Sequence, residues 1–355
     1  MSDFLLPALQ ALAPYVPGEQ PQDRSYIKLN TNESPFPPSP RVLSALSCDE
    51  ASRLNLYSDP QMRSLHAAIA DAHRLRRECV FTGNGSDEVL ALAFLAFSDA
   101  EHPVVMPDVS YGLYPIYARL FRAEPRIVPL NEDFTLPVEK FLHAGATVVF
   151  ANPNAPTGIA LPLSRVEEIV KANAHNVVIV DEAYADFAKE NALELLERYD
   201  NLLIVRTFSK SRSLAGARLG YALGSAALIS DLERVRNSFH PYSINRLSML
   251  AGVEAMRDSD YFARCVGEIV REREESASEL RALGFTLTNS QANFLLASHP
   301  ERSGKELYEG LKARGVLVRY FDQPRLKPYV RITVGTREQM RTLMLMLREV
   351  LATRA

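Results

Sequence analysis

The stretch Leu202-Leu-Ile-Val-Arg-Thr-Phe-Ser-Lys-Ser-Arg-Ser-Leu-Ala-Gly-Ala-Arg-Leu-Gly220 changes character partway. It begins as an apolar run without alternation, as a strand covered on both faces should. From Thr207 it turns polar, so hydroxyls, Lys210 and Arg218 emerge at a strand's C-terminal end, where open α/β sheets place their ligands. Strand patterns recur around it at 79–82, 103–106, 126–129, 147–151, 177–181 and 219–223. Helix-type segments such as 86–97 and 164–173 are long enough to cross over between them. The pattern predicts a mainly parallel seven-stranded sheet between helices.

After Asn245 the rhythm changes. A helical region over 246–283 ends at Gly284, a stop signal, and carries the charge run Arg271-Glu-Arg-Glu-Glu275, read as a solvated face with internal ion pairs. Strand patterns follow at 285–288, 293–296, 316–319 and 330–334, with helical patterns at 305–314 and 337–351. These describe a smaller α+β domain. The prolines from Pro7 to Pro40 suggest an extended arm. The division is therefore an arm over 1–27, a large domain over 28–245 and a small domain over 246–355.

Composition narrows the function. A chain of 355 residues exceeds one ordinary core, and 47% apolar with 23% charged residues is a globular balance. Its net charge of −3 offers no polybasic field to nucleic acid or an anionic membrane. The longest apolar run, 89–97, falls far short of the roughly 18 residues of a spanning helix. No Lys or Arg precedes Arg24, so the start lacks the charged region of a secretory signal. Cys48, Cys79 and Cys265 are odd in number and far apart, which fits reduced thiols in a cytoplasm. No metal-ligand spacing is present, and His66 and His73 are read as helix surface.

Four strand ends carry chemistry. Lys210, near Arg218, has its charged form disfavoured, which favours the free amine that attacks a carbonyl. In Val178-Ile-Val-Asp-Glu-Ala-Tyr184, Asp181 either caps the next helix or is a buried carboxylate paired with a cationic ring nitrogen. In Phe81-Thr-Gly-Asn-Gly-Ser-Asp-Glu-Val89, the glycines permit close approach and the Ser86 and Asp87 amides could hold a phosphate. That stretch imitates a dinucleotide fingerprint, but Glu88 occupies its third glycine position. Ala151-Asn-Pro-Asn-Ala-Pro-Thr-Gly158 makes a rigid turn presenting Asn154 and Thr157.

In this order the four stretches resemble fold-type I enzymes that use pyridoxal 5′-phosphate (PLP), and specifically the class I/II aminotransferases, over about 29–336. Leu29-Asn-Thr-Asn-Glu-Ser-Pro35, Val318-Arg-Tyr-Phe321 and Val330-Arg-Ile-Thr-Val-Gly-Thr336 are further similar to the histidinol-phosphate aminotransferase family. The resemblance implies that Lys210 bonds to the PLP aldehyde and later moves a proton between the substrate carbon and C4′. It implies that Asp181 pairs with the pyridinium nitrogen and that Tyr184 hydrogen-bonds the phenolic oxygen. The phosphate falls to the turn at Gly85, the Ser86 and Asp87 amides, the Thr207 and Ser209 hydroxyls, and Arg218. Tyr111 would stack on the ring, and Tyr57 would reach the phosphate from the neighbouring subunit of a homodimer with shared sites.

One position departs from the family, whose Asn before Pro-Thr-Gly is Ala155 here. Either Asn154 substitutes or Tyr184 holds the ring oxygen without help. Arg331 and Arg319, with Tyr15 from the arm and Asn32, would bind the carboxylate or phosphate of the substrates. The implied reaction moves an amino group from L-histidinol phosphate to 2-oxoglutarate, giving imidazole-acetol phosphate and L-glutamate in histidine biosynthesis. An aromatic amino-acid aminotransferase and a threonine-phosphate decarboxylase are the alternatives on the same scaffold. A non-catalytic PLP sensor is disfavoured by Lys210, and a nicotinamide dehydrogenase rests on the turn at Gly83 alone. No metal, nucleic acid or membrane partner is expected.

Overall fold

The computed structural model describes residues 4–10 and 12–353; residues 1–3 and 11 of the expected arm and 354–355 of the expected small domain lie outside that description. Its strands are β1 (Ile27–Lys28), β2 (Val80–Gly83), β3 (Val104–Pro107), β4 (Pro125–Val128), β5 (Thr147–Ala151), β6 (Val178–Asp181) and β7 (Leu202–Thr207). They continue with β8 (Gly220–Gly224), β9 (Thr286–Leu287), β10 (Phe294–Ser298), β11 (Val316–Leu317), β12 (Arg319–Tyr320) and β13 (Tyr329–Thr333).

Seven strands form the large sheet in the order β2-β8-β7-β6-β5-β3-β4. All pairs are parallel except those of β8, which runs against both β2 and β7. The missing alternation in the sequence has a direct cause. Val148, Val178, Val180, Leu202 and Ile204 enter one hydrophobic core, while Val149, Ile179, Leu203 and Val205 enter the core on the opposite face. Both faces are covered, by helices that include Arg63–His73 and Leu163–Ala172 on one side and Gly85–Phe97 and Ala226–Asn237 on the other. Each aliphatic side chain removed from water here is worth about 1.5–3 kcal/mol. The register brings Gly83, Gly220, Thr207, Asp181 and Ala151 to one edge of the sheet.

The C-terminal sheet is antiparallel, in the order β12-β13-β10-β9. Helices Ser259–Ala282, Gly304–Ala313 and Arg337–Ala352 pack on it through Leu280, Leu307 and Leu343. Capping boxes at Ser303/Glu306 and Thr336/Gln339 satisfy the first turns of the last two helices. β1 pairs in parallel with β11, so Leu29 belongs to this second core. Met249 and Val253, by contrast, pack in the core of the large sheet.

The structure corrects four readings. The helical region 246–283 breaks at Asp258, whose carboxylate accepts from the Tyr261 amide and starts a new helix. The run 316–319 divides at Val318 between β11 and β12, which pair with different partners. Arg273 is not solvated: it donates to the Phe187 and Ala292 carbonyls, tying helix Ser259–Ala282 to the loop after β6 and to the segment before β10. His66 and His73 turn inward, onto Thr82 and the Tyr221 hydroxyl, and burial pushes both imidazoles down to about 4. Among the described residues no helix is long and apolar enough to cross a membrane, and no group of three His, Cys, Asp or Glu could hold a metal.

Candidate active site

A cavity of about 330 Å³ opens on the gathered strand ends and is lined by Ser86, Asp181, Tyr184, Thr207, Ser209 and Lys210. It shares Thr31, Tyr111, Ala155 and Arg218 with a larger space of about 550 Å³ that continues to Tyr15, Arg319 and Arg331. Four distant stretches of sequence thus converge on one hollow.

Two glycines let its floor close. A Cβ on Gly85 (φ +79°) would stand 2.5 Å from Arg218 Nη2, and one on Gly220 would stand 2.2 Å from the Ser86 nitrogen. Helix Gly85–Phe97 therefore begins against β8, and the Ser86 and Asp87 amides lie in its first turn, where no intrahelical acceptor exists. Such a terminus attracts an anion. Arg218 Nη2 donates to Asp87 Oδ2 at 3.0 Å, and the Tyr111 hydroxyl donates to Asp87 Oδ1 at 2.7 Å. The Ser209 amide donates to Thr207 Oγ1 at 3.1 Å.

Asp181 ends β6 with Oδ2 accepting from Tyr114 at 2.7 Å and Oδ1 from the Ala183 amide at 3.1 Å. Burial pushes its carboxyl up to about 6 despite these bonds, and among the described residues no Lys or Arg forms an ion pair with it. A cationic ring nitrogen is the complement this carboxylate lacks. Lys210 follows β7, with Nζ 3.4 Å from the Thr31 carbonyl oxygen. Burial first, then Arg331, hold its amine down at about 8. The sequence pointed to Arg218 for this effect; Arg331 exerts the larger one, and Arg218 adds to it.

Tyr184 is buried, its ring edge-on to Phe294, and its hydroxyl accepts from Asn32 Nδ2 at 2.9 Å. Arg319 and Arg331 are direct partners across β12 and β13. Arg319 donates to the carbonyls of Val16 and Pro17, holding the arm, while Arg331 Nη2 donates to the Asn30 carbonyl and its buried Nε has no partner. The cavity thus supplies an amine, a carboxylate awaiting a cation, an anion-binding helix start, and an incompletely satisfied guanidinium.

Three expected site residues lie elsewhere or are otherwise engaged. Asn154 is turned away from the cavity: its amide donates to the Val109 carbonyl and Thr157, and its oxygen accepts from Ser110. The Ala155 methyl faces the hollow in its place, which removes Asn154 as a substitute donor. Asn32 lines the larger space, but one N–H of its side-chain amide is committed to Tyr184 and its oxygen to Thr333. Tyr57 is 80% exposed and stacks on Tyr242 outside the cavity.

Sequence reasoning missed Tyr114 and a buried charge network behind the site. Arg206 on β7 grips Glu182 Oε2 through Nε (3.0 Å) and Nη2 (2.7 Å), and reaches Asp186 at 3.3 Å. Asp186 in turn accepts from Ser211 at 2.5 Å. Two of its members adjoin reactive residues, Glu182 beside Asp181 and Ser211 beside Lys210. Its signal was legible: charges stand at the ends of two adjacent, wholly apolar strands.

Residues 24–347 match the family model for aminotransferase class I and II. The chain belongs to the class I and II aminotransferases. This aminotransferase is 48% identical to histidinol-phosphate aminotransferase 2 of Dechloromonas aromatica, over 99% of both chains. It is 47% identical to the histidinol-phosphate aminotransferase of a Marinomonas species, over 97% of this chain and 98% of that one. Among solved structures it resembles histidinol-phosphate aminotransferase of Sinorhizobium meliloti in complex with pyridoxal-5′-phosphate, with a TM-score of 0.90 and 26% identity, over 99% of this chain and 98% of that one.

Proposed function

We propose that this aminotransferase binds PLP and transfers an amino group between L-histidinol phosphate and 2-oxoglutarate in histidine biosynthesis. Asp181, Lys210 and the helix start at Gly85 fit the cofactor's ring nitrogen, aldehyde and phosphate in that order. When bound, PLP supplies the aldehyde that captures the substrate amine and the ring that accepts the electrons released at the substrate carbon. Asp181 keeps the proton on the ring nitrogen, and Tyr184 donates to the phenolic oxygen. The Ser86 and Asp87 amides, the Thr207 and Ser209 hydroxyls, and Arg218 anchor the phosphate, at roughly 1.5–3 kcal/mol per charge-assisted bond. Tyr111 flanks the ring. Lys210 Nζ, with an amine held near 8, would serve as the base and acid that moves the proton between the substrate carbon and the bound cofactor.

The observation that carries the substrate reading is the pair Arg331 and Arg319, which line the space that opens on Lys210. One substrate brings a phosphate and the other carboxylates, and a guanidinium pairs with either. Tyr15 lines the same space from the arm. Tyr57 completes the phosphate site of a second copy in a homodimer; its high exposure in one chain supports that role. We place the enzyme in the cytoplasm, in keeping with three free cysteines.

Steady-state rates test the reading. Histidinol phosphate should exceed phenylalanine and threonine phosphate by more than tenfold in kcat/KM. A reversed preference for phenylalanine overturns the substrate assignment and leaves the cofactor assignment standing.

A further inference from the structure

Tyr184 is expected to donate its proton to the cofactor's phenolic oxygen, yet the wall beside it is a methyl. Ala155 lines the cavity and offers no donor, and the Asn154 amide is saturated elsewhere. The hydroxyl therefore depends on whatever stands behind it. Among the described residues its one side-chain partner there is Asn32 Nδ2, at 2.9 Å.

Asn32 is held firmly. It is 1% exposed, and its backbone sits at φ +55°, a left-handed conformation that Asn tolerates better than most residues. Its own amide donates to Thr333 Oγ1 at 2.9 Å, and the Thr333 hydroxyl donates back to Asn32 Oδ1 at 3.1 Å. Asn293 Nδ2 donates to the Asn32 carbonyl at 3.0 Å. Because Oδ1 takes the Thr333 proton, Nδ2 is the group that faces Tyr184. The Tyr184 oxygen then accepts from Asn32, and its own proton is left to point into the cavity.

We infer that Asn32, fixed by Thr333 on β13, is a positioning residue that orients and polarises the Tyr184 hydroxyl toward the cofactor oxygen, in the place that a donor at Ala155 would otherwise fill. A hydroxyl that accepts a hydrogen bond donates more strongly, and donation from Asn32 also favours the charged form of Tyr184. Asn32 thus acts through Tyr184. This inference rests on the PLP reading above.

Absorbance titration of the Lys210-linked cofactor tests it, because stabilising negative charge on the ring oxygen lowers the proton affinity of the adjacent linked nitrogen. Asn32→Gly suits the left-handed backbone and removes the amide; Thr333→Val removes its anchor at similar volume. Both should titrate about one pH unit above the parent, while Thr333→Ser, which keeps the hydroxyl, should match it. Tyr184→Phe should shift at least as far, and adding Asn32→Gly to it should shift nothing more, as expected for residues acting in series. Should Asn32→Gly fail to fold, Thr333→Val reads the same relay. Parent-like titration of Asn32→Gly or Thr333→Val, or additive shifts in the double variant, overturns the inference alone. A parent that forms no borohydride-reducible visible band with PLP overturns the cofactor reading, and this inference with it.

Discussion

At the scale of single residues, the site is a set of groups in unfavourable company. Lys210 carries an amine held near 8 by burial and Arg331, so the reactive fraction rises as protons are removed. The rate at which cofactor-free protein captures PLP should climb about tenfold per pH unit below 8 and level off above it. Stopped-flow absorbance would follow this, and Arg331→Gln should move the midpoint upward. Asp181 is the converse case. Its folded carboxyl, near 6, lies above the ordinary 3.8, so native protein binds more protons than unfolded chain between those values. The contribution of Asp181 to the stability of the cofactor-free protein should therefore fall by about 3 kcal/mol as pH rises from 4 through 6, against the opposite trend set by His66 and His73. Urea unfolding of parent and Asp181→Asn should reveal it as a difference in unfolding free energy between the two that changes by that amount over this range. Asp181, Lys210 and Arg218 were visible in the sequence because each follows an apolar strand or a glycine turn. Asn154 misled because the turn that presents it also saturates it through Val109, Ser110 and Thr157.

At the scale of elements, two neighbouring strands carry the two reactive groups, and a buried ion pair fastens them together. Arg206 from β7 and Glu182 after β6 are almost wholly shielded from water. Removing one partner leaves the other charge stranded, which typically costs 3–5 kcal/mol. Arg206→Met should lower unfolding free energy by about that much, and Arg206→Met combined with Glu182→Met should recover most of it. Chemical denaturation of the cofactor-free protein measures both. The strands of the large sheet were legible to within a residue, because burial on both faces writes itself as unbroken Val, Ile and Leu. Less legible were the joints. The break at Asp258 depends on one capping carboxylate inside a continuous helical pattern, and the division of 316–319 depends on which distant strands it meets. Arg273 looks solvated in its charge run, and only the packing of its helix against Phe187 and Ala292 turns it inward.

At the scale of the whole molecule, the segments around Tyr57 and Tyr242 adjoin through ring stacking and through Ser58 donating to the Ile244 carbonyl. Both segments expose apolar side chains, among them Leu54, Leu56 and Phe239. A second copy covering them would make each hollow a joint property of two chains. Lys210→Ala and Tyr57→Ala proteins, each impaired alone, should then complement when unfolded together and refolded. Half of the dimers would be mixed, each with one intact site, restoring about a quarter of the parent's activity. No recovery would mean that the sites are not shared. Nothing in the sequence indicated how the chain's beginning joins its end. β1 lies parallel to β11, the Thr333 amide donates to the Leu29 carbonyl, and Leu29 fills the second core. On a ribosome, the segment at 27–29 must therefore wait, unpartnered, until residues 316–333 have emerged. Refolding of the C-terminal half in isolation should stall for want of that segment, and a synthetic peptide spanning 25–35 should rescue it.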